Sequence, residues 1–328
     1  MTSGGGDVET WLVGDVGATN VRFGLVSPER ELLQTRTRAV ADHLTIADAV
    51  TTFLGERGSL PMPRQGAIAI ASAITGDQVA MTNHPWSFSI SALKSQLGFH
   101  RLEEINDFTA LALALPHLEP EHRLQVGDGT PVGDAPLGVL GPGTGLGVSG
   151  LIPTGAGWIP LAGEGGHATM APATDRESAV LDRMRRHFDH VSAERVLSGP
   201  GLVNLYNTLS AIEGAPSCGY TAAEITDHAI HATDQRCVEC VAMFCALLGT
   251  IAGNLALTLG ARGGVYIAGG IVPRFGAHFP GARFRTRFEG KGRLSTYLVK
   301  IPTFVMLHPY PSFVGLAALL RGTSAIAD

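Results

Sequence analysis

A glycine-rich turn occurs twice in this chain, each time between two strand-like runs, and that repeat restricts the fold more than any other feature. The first copy, Gly14-Asp15-Val16-Gly17-Ala18-Thr19, lies between residues 11–13 and 21–26. The second, Gly141-Pro142-Gly143-Thr144-Gly145-Leu146-Gly147, lies between residues 137–140 and 148–152. Glycine lets backbone N–H groups approach a phosphate without interference from Cβ, and successive N–H groups in such a turn form an anion-binding concavity. Each turn leads into a β-rich run (Val21, Phe23, Val26; Val148, Leu151, Ile152), so each closes a strand–strand hairpin. P-loop and dinucleotide fingerprints instead place their glycines between a strand and a helix, which excludes both. Two copies predict a duplicated nucleotide-binding scaffold with a phosphate chain held between the halves.

At 328 residues the chain has room for two domains, each with its own core. A charged fraction of 16% beside 45% hydrophobic residues argues against disorder. The net charge of −5, with no dense basic run, gives no general attraction to nucleic acid or anionic membrane, so any phosphate site must be local. The polar, glycine-rich start (residues 1–10) lacks the pattern of a secretory signal and is expected to fray. Cys218, Cys237, Cys240 and Cys245 are too few and too clustered for a disulfide framework, which fits a reducing cytoplasm. Cys237 and Cys240 form a CxxC, but no second pair lies nearby and the segment reads as helix, so ordinary packing is expected. Residues 241–260 carry no charge and are long enough to span a bilayer. Thr250, Asn254 and Thr258 nevertheless place a polar stripe on one face, and Gly249, Gly253 and Gly260 interrupt the run. A helix buried between layers is the expectation, not a membrane span.

The first half reads β-β-β-α-β-α-β-α. Its strands are expected near 11–15, 21–27, 31–37, 66–71 and 102–105, and its helices near 46–57, 91–97 and from 108 or 109. The second half repeats the start with strands near 137–140, 146–152 and 157–160. A loop, Gly163-Glu164-Gly165-Gly166-His167, leads to helical segments from 175 onward. A long helix (238–259), a strand (264–268), a glycine pair, another helix, a strand (303–307) and a closing helix (312–321) complete the chain.

Runs spread along nearly the whole length carry a family resemblance. They are LVGDVGATNVR (12–22), ITGDQVAMTNHPW (74–86), EINDFTA (104–110), GPGTGLG (141–147), GEGGH (163–167), AERVLSGPGL (193–202) and IAGGIVPRF (267–275). In this order they resemble bacterial glucokinases of the hexokinase-like type, within the sugar kinase, Hsp70 and actin superfamily. The resemblance implies an α/β fold of two duplicated ribonuclease H-like lobes, the actin-like ATPase fold, each a mixed sheet with flanking helices. It places residues 1–117 and 308–328 in a smaller lobe and 118–307 in a larger one, with the active site in the cleft between them. It further implies transfer of the ATP γ-phosphoryl to the 6-hydroxyl of glucose, with Mg²⁺, in a cytoplasmic homodimer.

The residues make chemical sense of that activity, which needs a phosphate cradle, an oriented hydroxyl and a base. Asp107 reads by position alone as an N-cap aspartate; its place in the family run makes it the base, kept ionised by a helix N-terminus. Asn106 would donate to and accept from sugar hydroxyls. Glu164 and His167 flank two glycines that would turn the loop tightly enough for both side chains to face one ligand. Glu194 reads as a first-turn helix glutamate, and the resemblance carries it over as a third sugar-binding side chain. Asp15 would hold Mg²⁺ through water. Gly14, Asp15, Val16, Gly17, Ala18 and Thr19, with Asn20, would bind the nucleotide together with Gly143, Thr144, Gly145, Gly269 and Gly270. Ala18 departs from the family, which has glycine there; its methyl would matter only if the position required a positive φ. Two other readings compete: a kinase for mannose, fructose or an N-acetylhexosamine, and a non-catalytic sugar-sensing module. A sensor would need a DNA-binding extension, and a silent module would be expected to lose Asp107. The zinc-binding ROK branch is disfavoured because residues 168–192 hold no cysteine.

Overall fold

The computed structural model describes residues 9–72, 74–81 and 86–322. Most of the start expected to fray, and part of the 74–86 run, therefore lie outside the described residues. The first stretch runs β1 (Trp11–Val16), β2 (Asn20–Val26), β3 (Leu32–Ala39), α1 (Ile46–Gly55), β4 (Gln65–Ile70), β5 (Gln78–Ala80), β6 (Ser87–Ser89), α2 (Ile90–Leu97), β7 (Arg101–Asn106) and α3 (Asp107–Ala114). It continues as β8 (Arg123–Val126), β9 (Leu137–Pro142), β10 (Leu146–Thr154), β11 (Gly157–Leu161), α4 (Asp175–Met184), α5 (Gly199–Ile212), α6 (Ala222–Ile230) and α7 (Gln235–Leu259). The remainder is β12 (Gly264–Ile267), α8 (Val272–Phe275), α9 (Gly281–Glu289), α10 (Ser295–Leu298), β13 (Thr303–Met306) and α11 (Pro311–Leu320). The 5–6 hairpin and β8 have no counterpart in the sequence reading.

The duplication is visible in the sheets. One has the order β3-β2-β1-β4-β7, the other β11-β10-β9-β12-β13 with β8 added at the edge. In the first, β1 pairs antiparallel with β2 and parallel with β4, and β4 is parallel to β7. In the second, β9 pairs antiparallel with β10 and parallel with β12, and β12 is parallel to β13. Both glycine hairpins thus occupy the same topological position, beside the strand that switches the sheet from antiparallel to parallel pairing.

The chain divides into two compact units: Met1–Leu118 with Pro153–Ala162 and His308–Asp328, and Glu119–Ile152 with Gly163–Leu307. The first has a core of sheet and helix residues that includes Leu12, Phe23, Val50, Phe53, Ile68 and Leu102. The core of the second includes Leu140, Leu202, Tyr206, Phe244, Leu248 and Phe284.

By length and composition α7 could cross a membrane, but it is the central helix of the second core. Asp234 caps it by accepting from the Arg236 and Cys237 N–H groups, which starts the helix earlier than the apolar run does. Its polar stripe faces α9. Arg287 donates to Thr250 Oγ1 (2.8 Å) and also pairs with buried Glu177, while Lys291 donates to Asn254 Oδ1 (2.6 Å). Gly249 and Gly253 let the helices approach closely, since a Cβ at either would overlap the carbonyl of Phe284 or Phe288. Cys237, Cys240 and Cys245 are buried on α7, with Cys240 Sγ 3.4 Å from the Leu202 carbonyl it donates to.

Candidate active site

In the first unit the β1–β2 turn is closed by Gly17 N–H donating to Asn20 O (3.0 Å), and Val40 N–H donates to Thr19 O (2.9 Å). Among the described residues, the non-glycine positions with positive φ are Arg30, Asp134 and Ala232, so Ala18 sits in ordinary backbone. Its methyl therefore introduces no strain. Ala18→Gly is expected to leave the KM for ATP within about twofold and to lower stability by roughly 0.4–1 kcal/mol through added freedom of the unfolded chain. A coupled assay and a thermal melt check both.

Asp15 lies at the end of β1, directly across the hairpin from Arg22. Its Oδ2 accepts from the Ser312 hydroxyl (3.0 Å) in the first turn of α11 and lies 3.6 Å from the Arg22 guanidinium. Burial nevertheless raises its carboxyl above the ordinary range, with Ser312 and Arg22 acting in the opposite direction. The Arg22 contact follows from hairpin register, whereas no local pattern links Asp15 to Ser312.

Strand β7 delivers Asn106 and Asp107 to the start of α3. The cap is Asn106, not Asp107: its Oδ1 accepts from the N–H groups of Phe108 (2.9 Å) and Thr109 (3.2 Å). Its Nδ2 lies 3.4 Å from the Ser72 carbonyl. The acceptor half of the sugar role expected for Asn106 is thus taken by the helix and one amide hydrogen by Ser72, which leaves the second amide hydrogen. Asp107 is the first helical residue, half-buried, with Oδ1 accepting from the Phe108 N–H at 2.9 Å.

In the second unit, Gly143 N–H donates to Gly145 O (2.8 Å) across the β9–β10 turn. A Cβ on Gly143 would meet nothing within 4 Å, so one side of this turn is open. Gly269 has φ +80°, and a Cβ there would strike the Pro142 carbonyl. Here glycine is required both by backbone conformation and by close approach to β9. Gly270 has open space beside it.

Glu164 and His167 are both exposed, at the two ends of a short 3₁₀ turn (Gly165–His167). Besides forming that turn, the two glycines between them allow close packing. Neither has positive φ; a Cβ on Gly166 would overlap the Leu146 carbonyl, and one on Gly165 would overlap the Val148 side chain. They let the loop lie flat on the start of β10, where Val148 and Glu164 form a parallel bridge. The loop is therefore built onto the second glycine hairpin.

Glu194 is not in the first turn of a helix. The helix starts later, at Gly199, where Ser198 caps it and proline occupies its beginning. Glu194 lies in the preceding turn, and its Oε2 accepts from the Leu146 N–H at 2.9 Å. Among the residues assigned from sequence, the second unit thus joins Glu164, His167, Glu194 and the Gly143–Gly145 turn through direct contacts. The first unit separately holds Asp15, Thr19, Asn106 and Asp107.

A model of the glucokinase family matches residues 12–323. A glucokinase from Paramagnetospirillum magneticum is 51% identical over 94% of this chain and 97% of its own. One from Aromatoleum aromaticum is 48% identical over 99% and 98%. Among solved structures, a glucokinase from an Antarctic psychrotroph superposes with a TM-score of 0.87 at 34% identity, covering 96% of this chain and 99% of that one.

Proposed function

Because the chain belongs to the glucokinase family, and so is an ATP-dependent hexose kinase that phosphorylates glucose, we propose that Asp107 is the base of the reaction. One observation carries the assignment. Asn106 caps α3 and Asp107 is the first residue of that helix, so the Asp107 carboxylate lies at the helix N-terminus, where the dipole favours negative charge. In the reaction the glucose 6-hydroxyl loses its proton to Asp107 as O6 bonds the γ-phosphorus. The bond from the γ-phosphorus to the bridging oxygen breaks, and ADP leaves with that electron pair.

The remaining roles follow from hydrogen-bond capacity. Glu164 and Glu194 accept from sugar hydroxyls, the Asn106 amide donates, and His167 does either. Such a set discriminates between sugars, because a misplaced hydroxyl leaves a group that bound sugar covers without its partner. The N–H groups of the two glycine turns hold the phosphates, and Gly269-Gly270 admits the adenosine. Mg²⁺, when bound, supplies neutralisation of the phosphate oxygens. Asp15 would hold that ion through water as a single carboxylate, its Oδ2 oriented by the Ser312 hydroxyl at 3.0 Å. Such an ion takes most of its ligands from phosphate and water. Family membership also supports a cytoplasmic homodimer as a proposal.

The test is a coupled ADP-release assay with ATP and Mg²⁺ over glucose, mannose, fructose and N-acetylhexosamines. Glucose is expected to give the highest kcat/KM. Absence of sugar-dependent ADP release would overturn the kinase reading, and a higher kcat/KM for another hexose would overturn glucose as the substrate.

A further inference from the structure

The sugar loop and the second phosphate turn are held by one short segment. Within it, the N–H groups of Ala193 and Glu194 donate to the carbonyls of Ala168 and Gly166, both at 2.9 Å, which fastens the segment to the Glu164–His167 loop. At its other end Gly199 N–H donates to the Gly143 carbonyl (2.8 Å) at the tip of the turn. Ser198 Oγ braces the segment by donating to the Glu194 carbonyl at 2.8 Å. Across this frame the Glu194 side chain reaches the turn itself, where Oε2 accepts from Leu146 N–H (2.9 Å).

We propose that the Glu194 carboxylate is shared between the two substrates: Oε2 positions the phosphate-binding turn through Leu146, and Oε1 is the oxygen left for a sugar hydroxyl. Glu194 is then a positioning residue for the nucleotide, a role beyond the sugar contact assigned above, and the inference rests on that assignment. Two independent features carry it. The first is the hydrogen bond from the Leu146 N–H to Glu194 Oε2 at 2.9 Å, which ties the side chain directly to the turn. The second is Gly145. It has no positive φ, so its backbone does not demand glycine, yet a Cβ there would overlap Glu194 Oε2. The residue is small where the carboxylate must pass.

Chemistry separates the two functions of the side chain. In Glu194→Gln only the amide oxygen can accept from Leu146 N–H, so the turn keeps its support while an NH₂ replaces the acceptor offered to the sugar. Glu194→Ala removes both. Gly145→Ala approaches from the nucleotide side: its methyl displaces the end of a flexible side chain, so the fold tolerates it, but the carboxylate leaves its position. Gly133→Ala is the control, because its Cβ enters open space at a position outside the turn.

The experiment measures ADP affinity without sugar and glucose affinity without nucleotide, both by titration calorimetry with Mg²⁺ present. Glu194→Gln should hold ADP affinity within about twofold and lose about tenfold or more in glucose affinity. Glu194→Ala should lose about tenfold in both, a change of about 1.4 kcal/mol each. Gly145→Ala should lose about fivefold or more in glucose affinity, and Gly133→Ala less than twofold. Equal ADP affinities in wild type and Glu194→Ala would overturn the shared role. So would equal glucose affinities in Gly145→Ala and Gly133→Ala, a comparison that stands even if Glu194→Ala does not fold. A wild-type chain that binds ADP but no glucose overturns the sugar assignment instead, and the ADP comparison between the two Glu194 variants still decides the positioning role.

Discussion

Asp107→Ala is expected to lower kcat by roughly 10²–10⁴-fold, the range that a positioned general base contributes, while glucose still binds. Affinity survives because the acceptors assigned to the sugar, Glu164 and Glu194, are untouched. The fold survives because α3 is capped by Asn106, whose Oδ1 holds the Phe108 and Thr109 N–H groups in the variant as in the parent. What Asp107 adds to the helix is a dipole interaction of about 0.3–1 kcal/mol, small against the stability of a domain. Asn106→Ala should behave differently, losing about 1 kcal/mol of stability through the missing cap along with any catalytic effect. Steady-state kinetics, glucose titration and a thermal melt on both variants separate the roles. A kcat for Asp107→Ala within tenfold of the parent would remove Asp107 from proton transfer, and loss of glucose binding would make it a sugar ligand first.

The features of this site that sequence disclosed are those written into neighbouring residues. A glycine turn between two β-rich runs is a local statement, and it gave the β1–β2 and β9–β10 hairpins, their equivalence and the fold class. The β7–α3 junction was legible to within a residue for the same reason. The partners of the glycines were not legible, because close approach is a property of distant segments. Gly166 meets Leu146, Gly145 meets Glu194 and Gly249 meets Phe284, and no spacing rule connects these pairs. Glu194 reads as a first-turn glutamate from its position after Ser192-Ala193, but the Ser198 cap places the helix start beyond it. Strand β8 escaped notice because Arg123–Val126 is short and its burial comes only with Val126, beside β13. Glu104 gave no signal at all, since a second acidic residue in a strand reads as surface.

Glu104 is instead buried, 9% exposed on β7 beside Ile68 of β4, and neither carboxylate oxygen has a hydrogen-bond partner. Burial pushes its carboxyl up to about 8, with the negative charges of Glu103 and Asp77 adding to the rise. The ordinary value, 4.5, applies to the unfolded chain. Between these two limits the folded state holds a proton that the unfolded state has released. The stability associated with that proton is complete below about 4.5, declines as pH rises, and is fully lost above about 8. At about 1.4 kcal/mol per pH unit the loss amounts to several kcal/mol, a large part of what holds a domain folded. Glu104→Gln cannot titrate, so it removes this slope and substitutes a pH-independent penalty of about 1–3 kcal/mol for a buried amide without a partner. The two melting curves should therefore cross: the parent melts higher at pH 5, the variant at pH 9. Parallel pH dependences would show that Glu104 ionises freely in the folded protein. A crossing would show that this chain keeps a protonated carboxyl two residues before the Asn106 cap, on the strand that delivers the proposed base.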